Sequence, residues 1–232
     1  MCWNEYVSLN TFVFSTFVLL FVMYNNAYTP YKIKGLNNVS MYLFLFSVIL
    51  MQLIEFFLWR NINHPVYNVF FTIMVQCLLF LQPVFSLLLL SQPYVKTLLL
   101  GIYFLFVCFL GVVCFLGFGG FHKLTNLNSW NKILPLFVST KSKWGHLHWG
   151  QQYLFIEIIW LFFLVFSFVW EKNIWGLGFG SVLLFISVLN YVYDNTWGSM
   201  WCWSLNSASL FFAIYLLIFL PFIEKKNMSK KG

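Results

Sequence analysis

Glu55, Glu157 and Asp194 are the residues of this chain best placed to do chemistry, because each lies near one end of a long apolar stretch. A charge at the centre of a bilayer costs at least about 2.5 kcal/mol on insertion scales, so it normally faces a bundle interior or a water-filled cavity. Carboxyls held there are suited to relaying protons or binding a small solute. Helical spacing sets further polar groups beside them. Gln52, Glu55 and Trp59 share one face; Ser187, Asn190, Tyr191 and Asp194 stand at i, i+3, i+4 and i+7; Asn68, Thr72 and Gln76 form a third stripe, and Ser8, Thr11 and Ser15 a fourth. Stripes turned towards lipid would leave these groups unsatisfied, so they should meet one another. Three readings stand: one shared acidic cavity, separate interhelical hydrogen bonds worth ~0.6 kcal/mol each, or acids solvated one by one at the interface.

Arg60, His146 and His148 complete the candidate set. The chain uses lysine for every other basic residue, so an isolated arginine points either to a bidentate contact that lysine cannot make, with Glu5, Glu55 or Asp194 as partner, or to a lone interfacial anchor. His146 and His148 are two apart, which lets an extended loop present both to one ion but not one helix face. No HExxH pattern accompanies them. A hydrogen-bonding or pH-sensitive role is the better reading, and the sequence implies neither a metal site nor a cofactor.

The elements that must position these groups follow from composition. Of 232 residues, 61% are hydrophobic and 8% charged, and mean hydropathy is +0.82, so a water-soluble fold lacks the polar surface it needs. Membrane helices of about 20 apolar residues are expected near Val7 to Tyr28, Val39 to Trp59, Val66 to Leu90, Tyr94 to Phe118, Gln151 to Trp170, Trp175 to Tyr193 and Ser204 to Ile223. Runs such as Leu98 to Phe106 do not alternate, which disfavours a β-barrel. Met1 to Glu5 lacks the basic start of a signal peptide. The expectation is an all-α polytopic membrane protein, a single seven-helix domain over residues 1–232.

Lysines set the expected orientation. Lys32, Lys34, Lys96, Lys172 and the tail over 224–232 fall on one side, against Arg60 and the lysines of the connection 119–150 on the other, which places the N-terminus outside and the C-terminus in the cytosol. A net charge of +7 is then a topology signal and an attraction to anionic lipid, not a nucleic-acid footprint. The connection 119–150 reads as an ordinary loop or as a lid over the helices.

Tryptophans gather at the same rim as the acids: Trp3, Trp59, Trp149, Trp197 and Trp201, with Trp144 and Trp203 beside them. An interfacial belt is the ordinary explanation; a floor or cap for an apolar or cationic ligand is the sharper one. Pro83 should kink the third span by removing a helical donor, and Gln82 beside it is the expected partner for a freed backbone group. Cys2 and Cys202 map to one face, where a bridge is geometrically permissible; Cys77, Cys108 and Cys114 are packing residues.

Met1-Cys2-Trp3-Asn4, the segment Gln52-Leu53-Ile54-Glu55-Phe56-Phe57-Leu58-Trp59, Leu81-Gln82-Pro83, Gly145-His146-Leu147-His148-Trp149 and Trp197-Gly198-Ser199-Met200-Trp201-Cys202-Trp203 together resemble an uncharacterised family of multi-pass membrane proteins of giant, mimivirus-like viruses and some protists. The resemblance runs nearly end to end. It implies a viral or protist source and a host or virion membrane, and brings no assigned activity with it. A retinal photoreceptor is excluded by the lack of lysine in Ser204 to Ile223. What remains is a channel or transporter for protons or a small solute, a membrane-embedded enzyme using the same acids with His146 or His148 as acid/base, or a non-catalytic membrane component.

Overall fold

The computed structural model describes residues 4–30, 32–117, 137–149 and 154–222, the side chains of residues 34, 113–117, 154 and 194 excepted. Among them are α1 (Glu5–Tyr28), α2 (Val39–Arg60), α3 (Pro65–Leu87), α4 (Pro93–Gly117), α5 (Leu154–Trp170), α6 (Ile174–Tyr191) and α7 (Trp197–Phe222), with a hairpin of β1 (Thr140–Lys141) and β2 (Leu147–His148) between α4 and α5. Six of the helices are long and apolar enough to cross a bilayer. The protein is therefore a polytopic membrane protein. α5, expected as a seventh span from Gln151, is 17 residues over its described length, about 26 Å at 1.5 Å per residue, and residues 151–153 lie outside the described set.

Local sequence accounts for where these helices start. Asn4, Asn38 and Asn173 each cap the following helix, their side chains accepting from the backbone N–H of Val7, Ser40 and Gly176. Pro65 opens α3, where a missing N–H is harmless. The last helix differs from expectation. It begins at Trp197, seven positions before Ser204, since the Trp-rich segment is itself helical, with Ser199, Met200, Trp201 and Cys202 buried and Trp197 and Trp203 half-buried. Burial of Trp201 is tolerable because its ring N–H finds a carbonyl, Gly180 O, 3.2 Å away. Further along, α7 widens into a π-helical turn over Tyr215–Phe219.

Side-chain contacts tie the helices in a consistent up-and-down order. α1 and α2 are antiparallel neighbours, joined at one end by Arg60 and Glu5 and at the other by Asn26, which donates to the Tyr42 hydroxyl at 2.8 Å and accepts from Ile33 N at 2.7 Å. α7 runs alongside α1, with Val18 and Val22 packed on Ala213, Leu216 and Leu220. At the same end as Asn26, Glu171 accepts from both the backbone N–H and the hydroxyl of Ser91, at 2.6 and 2.9 Å, linking the α3–α4 and α5–α6 turns. α4 and α6 bury little of their surface against the rest, as helices facing lipid do.

α2 is the most buried of the spans, and α3 beside it is stitched to α5. Ser86 Oγ donates to Leu164 O at 2.5 Å and lies 2.6 Å from Ser167 Oγ, a close approach that small residues permit. Pro83 sits inside α3 and supplies no N–H for the carbonyl of Leu79. Gln82 is not its substitute partner. The donor is Trp160 of α5, whose Nε1 lies 2.7 Å from Leu79 O.

The hairpin corrects the picture of an ordinary connecting loop. Its strands pair antiparallel, Thr140 opposite His148 and Lys141 opposite Leu147, and Gly145 turns the chain with φ 81, a left-handed conformation that glycine adopts freely. Leu147 and Trp149 are buried in one apolar cluster with Met51, Ile54 and Leu58 of α2, Val75 and Leu78 of α3 and Cys202 of α7. Residues 118–136 of the same connection lie outside the described set.

Candidate functional site

Glu55 is wholly buried, 0% exposed, four-fifths of the way along α2. Each carboxyl oxygen receives a donor: Gln52 Nε2 reaches Oε2 and Ser199 Oγ reaches Oε1, both at 2.8 Å. Gln52 stands one turn before Glu55 on the same helix face, and Ser199 is brought by α7 only because that helix starts early. An acid at this depth is stable only where neighbouring groups replace water, and these two amide and hydroxyl donors do so.

Other polar atoms are buried around the same junction of α2, α7 and the hairpin. Gln52 Oε1, Thr196 Oγ1 and the indole N–H groups of Trp59, Trp149 and Trp203 are buried with no hydrogen-bond partner in the described structure. The three tryptophans all pack on the apolar cluster that holds Met51, Ile54 and Cys202. Ser8 and Ser15 of α1 are likewise buried with unpartnered hydroxyls. The register fixed by the Glu5–Arg60 and Asn26–Tyr42 contacts brings the Ser15 turn level with Gln52. A buried acid thus sits near several buried donors and acceptors that the described structure leaves unmet.

The hairpin closes this junction from one end by docking on the polar stripe of α3. Asn68 Nδ2 donates to Ser139 O and to Ile62 O, each at 2.9 Å, while Asn68 Oδ1 accepts from Ser139 N at 2.8 Å. Thr72 Oγ1 lies 2.7 Å from Ser139 Oγ. Deeper, Gln76 Nε2 donates to Trp149 O at 3.0 Å, eleven residues and about 16 Å along α3 from Pro65. The stripe read as facing other helices is thus spent on Ser139, just before the hairpin, and on the Trp149 carbonyl just after it, backbone groups that need partners in a membrane.

Comparison of the chain with family models, with curated proteins and with solved structures finds no match.

The expected site residues distribute as follows. Glu55, Gln52, Trp59 and Trp149 come together with Trp203 and Ser199. His146 is buried and its ring meets Tyr191 of α6 edge-on, centroids 5.2 Å apart; His148 is half-buried on β2. Asn190 is exposed and turns back to Ile186 O at 2.7 Å, whereas Ser187 of the same stripe is buried, 3.4 Å from Ser204 Oγ. Glu157 is half-buried in the first turn of α5, and Trp197 half-buried at the start of α7. Trp201 lies among α5 and α6, edge-on to Trp160 at 5.8 Å. The side chain of Asp194, and Trp3 and Cys2 altogether, lie outside the described residues. Cys202 is a buried free thiol. Among the described residues no three His, Cys, Asp or Glu side chains are grouped to hold a metal ion.

Arg60 takes Glu5 as partner, Nε to Oε2 at 3.8 Å, and its guanidinium lies over the Phe56 ring, 5.7 Å from the centroid. The contact is through a single nitrogen and not bidentate. With the Arg60 side chain 61% exposed, this is an interfacial pair, beside Trp59, whose ring is met by Lys141 Nζ at 5.9 Å.

Ser199 and Ser139 are the partners that sequence spacing did not single out. Ser199 lay inside a segment dominated by tryptophans. Ser139 lies 71 positions from Asn68, a separation over which no periodicity operates.

Proposed function

We propose that the protein passes protons, or a small solute coupled to them, through the bilayer, with Glu55 as the group that the passing species meets. The observation that carries this reading is the complete burial of Glu55 within a membrane helix, held by the neutral donors Gln52 and Ser199. A carboxyl buried at this depth and held by hydrogen bonds is suited to take up and release a proton from a passing species. Polar groups continue from it along α7. Asn206, seven residues after Ser199 on the same face and about 10 Å further along the axis, is buried, with Oδ1 unpartnered. The hairpin is the barrier at the opposite side of Glu55, and its withdrawal from Asn68, Thr72 and Gln76 would open the path.

In the orientation set by the lysines, the hairpin end faces away from the cytosol. A viral or protist source, implied by the resemblance of the chain, would put the protein in a host or virion membrane.

The test is proton flux into proteoliposomes holding a pH-sensitive dye, driven by a potassium diffusion potential. Wild-type protein should conduct above empty vesicles, and Glu55→Gln, which keeps an acceptor for Ser199, should lower the rate at least tenfold with an unchanged melting temperature. Wild-type flux equal to that of empty vesicles would leave a passive membrane component as the better reading.

A further inference from the structure

A second feature extends from Cys202, at the edge of the Glu55 cluster, towards the end of the bundle that carries Lys96 and Lys172. There α2, α3, α5, α6 and α7 leave a partly enclosed cavity of about 80 Å³ with mainly apolar walls, among them Phe44, Leu164, Leu184 and Trp201. One amide breaks that wall. Gln82 lines the cavity, is 2% exposed, and its Nε2 has no hydrogen-bond partner in the described structure. Because Trp160 already serves the carbonyl left open by Pro83, the Gln82 amide is not committed to repairing the kink. A buried donor without an acceptor is destabilising, so a ligand that brings an acceptor oxygen would be favoured there.

Size, depth and charge together narrow the ligand. Cavities of about 150 Å³ hold a benzene molecule, so this one takes only a short chain segment, and the rest of a ligand must lie outside in the lipid. Gln82 is five residues from the end of α3, about 8 Å along the axis. Centring a 23-residue helix of about 35 Å on a hydrocarbon core of about 30 Å puts the Gln82 backbone roughly 5 Å below the hydrocarbon edge, within reach of its long side chain. Ester carbonyls of glycerolipids lie at that boundary. The exposed Lys172, four residues before the cavity-lining Gly176, stands where a headgroup phosphate would lie.

We infer that this cavity is a binding site for an ester-linked glycerolipid with an anionic headgroup, the carbonyl accepting from Gln82 Nε2, the adjoining acyl segment filling the cavity and Lys172 facing the phosphate. Gly180 forms part of the wall, and an added Cβ there would meet no atom within 4 Å. A larger side chain at that position would occupy the space that the acyl segment needs.

The experiment is native mass spectrometry of delipidated full-length protein, titrated with diester phosphatidylglycerol, its diether analogue and diester phosphatidylcholine. Wild type should bind the diester form about fivefold more tightly than the diether form, the weight of one hydrogen bond, and more tightly than phosphatidylcholine. Gln82→Leu should make diester and diether equal, and Gly180→Leu should abolish tight binding of both with circular dichroism and gel filtration unchanged. Equal affinity of wild type for diester and diether would overturn the assignment, and that comparison decides even where a variant fails to fold. Retention of wild-type affinity by a folded Gly180→Leu would overturn it as well, and a preference for phosphatidylcholine would remove Lys172 from it. None of these readouts depends on proton flux.

Discussion

The indole N–H of Trp160 donates to the carbonyl of Leu79 across 2.7 Å, the carbonyl that Pro83 leaves without its helical donor four residues on. A proline inside a membrane helix is tolerable where a neighbour satisfies the freed group. Here the neighbour is α5, which makes the kink a joint between two helices.

Trp160→Phe should therefore destabilise the protein by about 1–3 kcal/mol, the cost of a buried carbonyl with no partner. In a Pro83→Ala background the backbone N–H returns, and the same change should cost less than about 1 kcal/mol. Denaturant unfolding in detergent of the four proteins of this cycle checks it. An equal loss in both backgrounds would show that ring packing, and not the hydrogen bond, is what Trp160 supplies.

Asn68 makes three hydrogen bonds that fix the hairpin and the turn before α3. Asn68→Ala should speed amide hydrogen exchange over residues 139–149 by on the order of tenfold or more, since loss of about 1.4 kcal/mol of local stability suffices. Exchange in α2 should not change. Unaltered protection of Leu147 would mean that the apolar cluster alone holds the hairpin.

Arg60→Lys should be nearly silent. The Arg60–Glu5 pair is long, joined through one nitrogen and solvent-facing, and exposed pairs of this kind contribute about 0–1 kcal/mol. A detergent melt at low and high salt should separate the two proteins by no more than this. A larger loss would reveal a contact that geometry does not give the arginine.

Orientation can be read by glycosylation. Asn38-Val39-Ser40 and Asn227-Met228-Ser229 are sequons on the side assigned to the cytosol, and both should stay unmodified in microsomes, whereas Ile133→Thr completes a sequon at Asn131 that should be modified. Asn38 also caps α2 through Ser40 N at 2.8 Å, so a glycan there would disturb a helix start. A glycosidase-sensitive mass shift from Asn38 in the parent chain would invert the topology and place the hairpin in the cytosol.

The sequence by itself determined the membrane, the helices and the polar stripes. Hydropathy is a sum over about 20 neighbouring residues, and the bilayer imposes helix on any run that long and that apolar, so α1 to α4 and α6 begin and end within a few positions of expectation. Capping asparagines at 4, 38 and 173 act through the next turn alone. Gln52 and Glu55 read as a pair because they are three residues apart on one helix. Only the tertiary structure decided what each stripe meets. Ser199 reaches Glu55 across 144 positions and Ser139 reaches Asn68 across 71, and such pairings depend on how each helix is rotated about its axis and on where a hairpin can enter. Trp201 shows the same limit. Its amphipathic ring suits a water interface or a bundle interior equally well, and the carbonyl of Gly180 on another helix selects the interior.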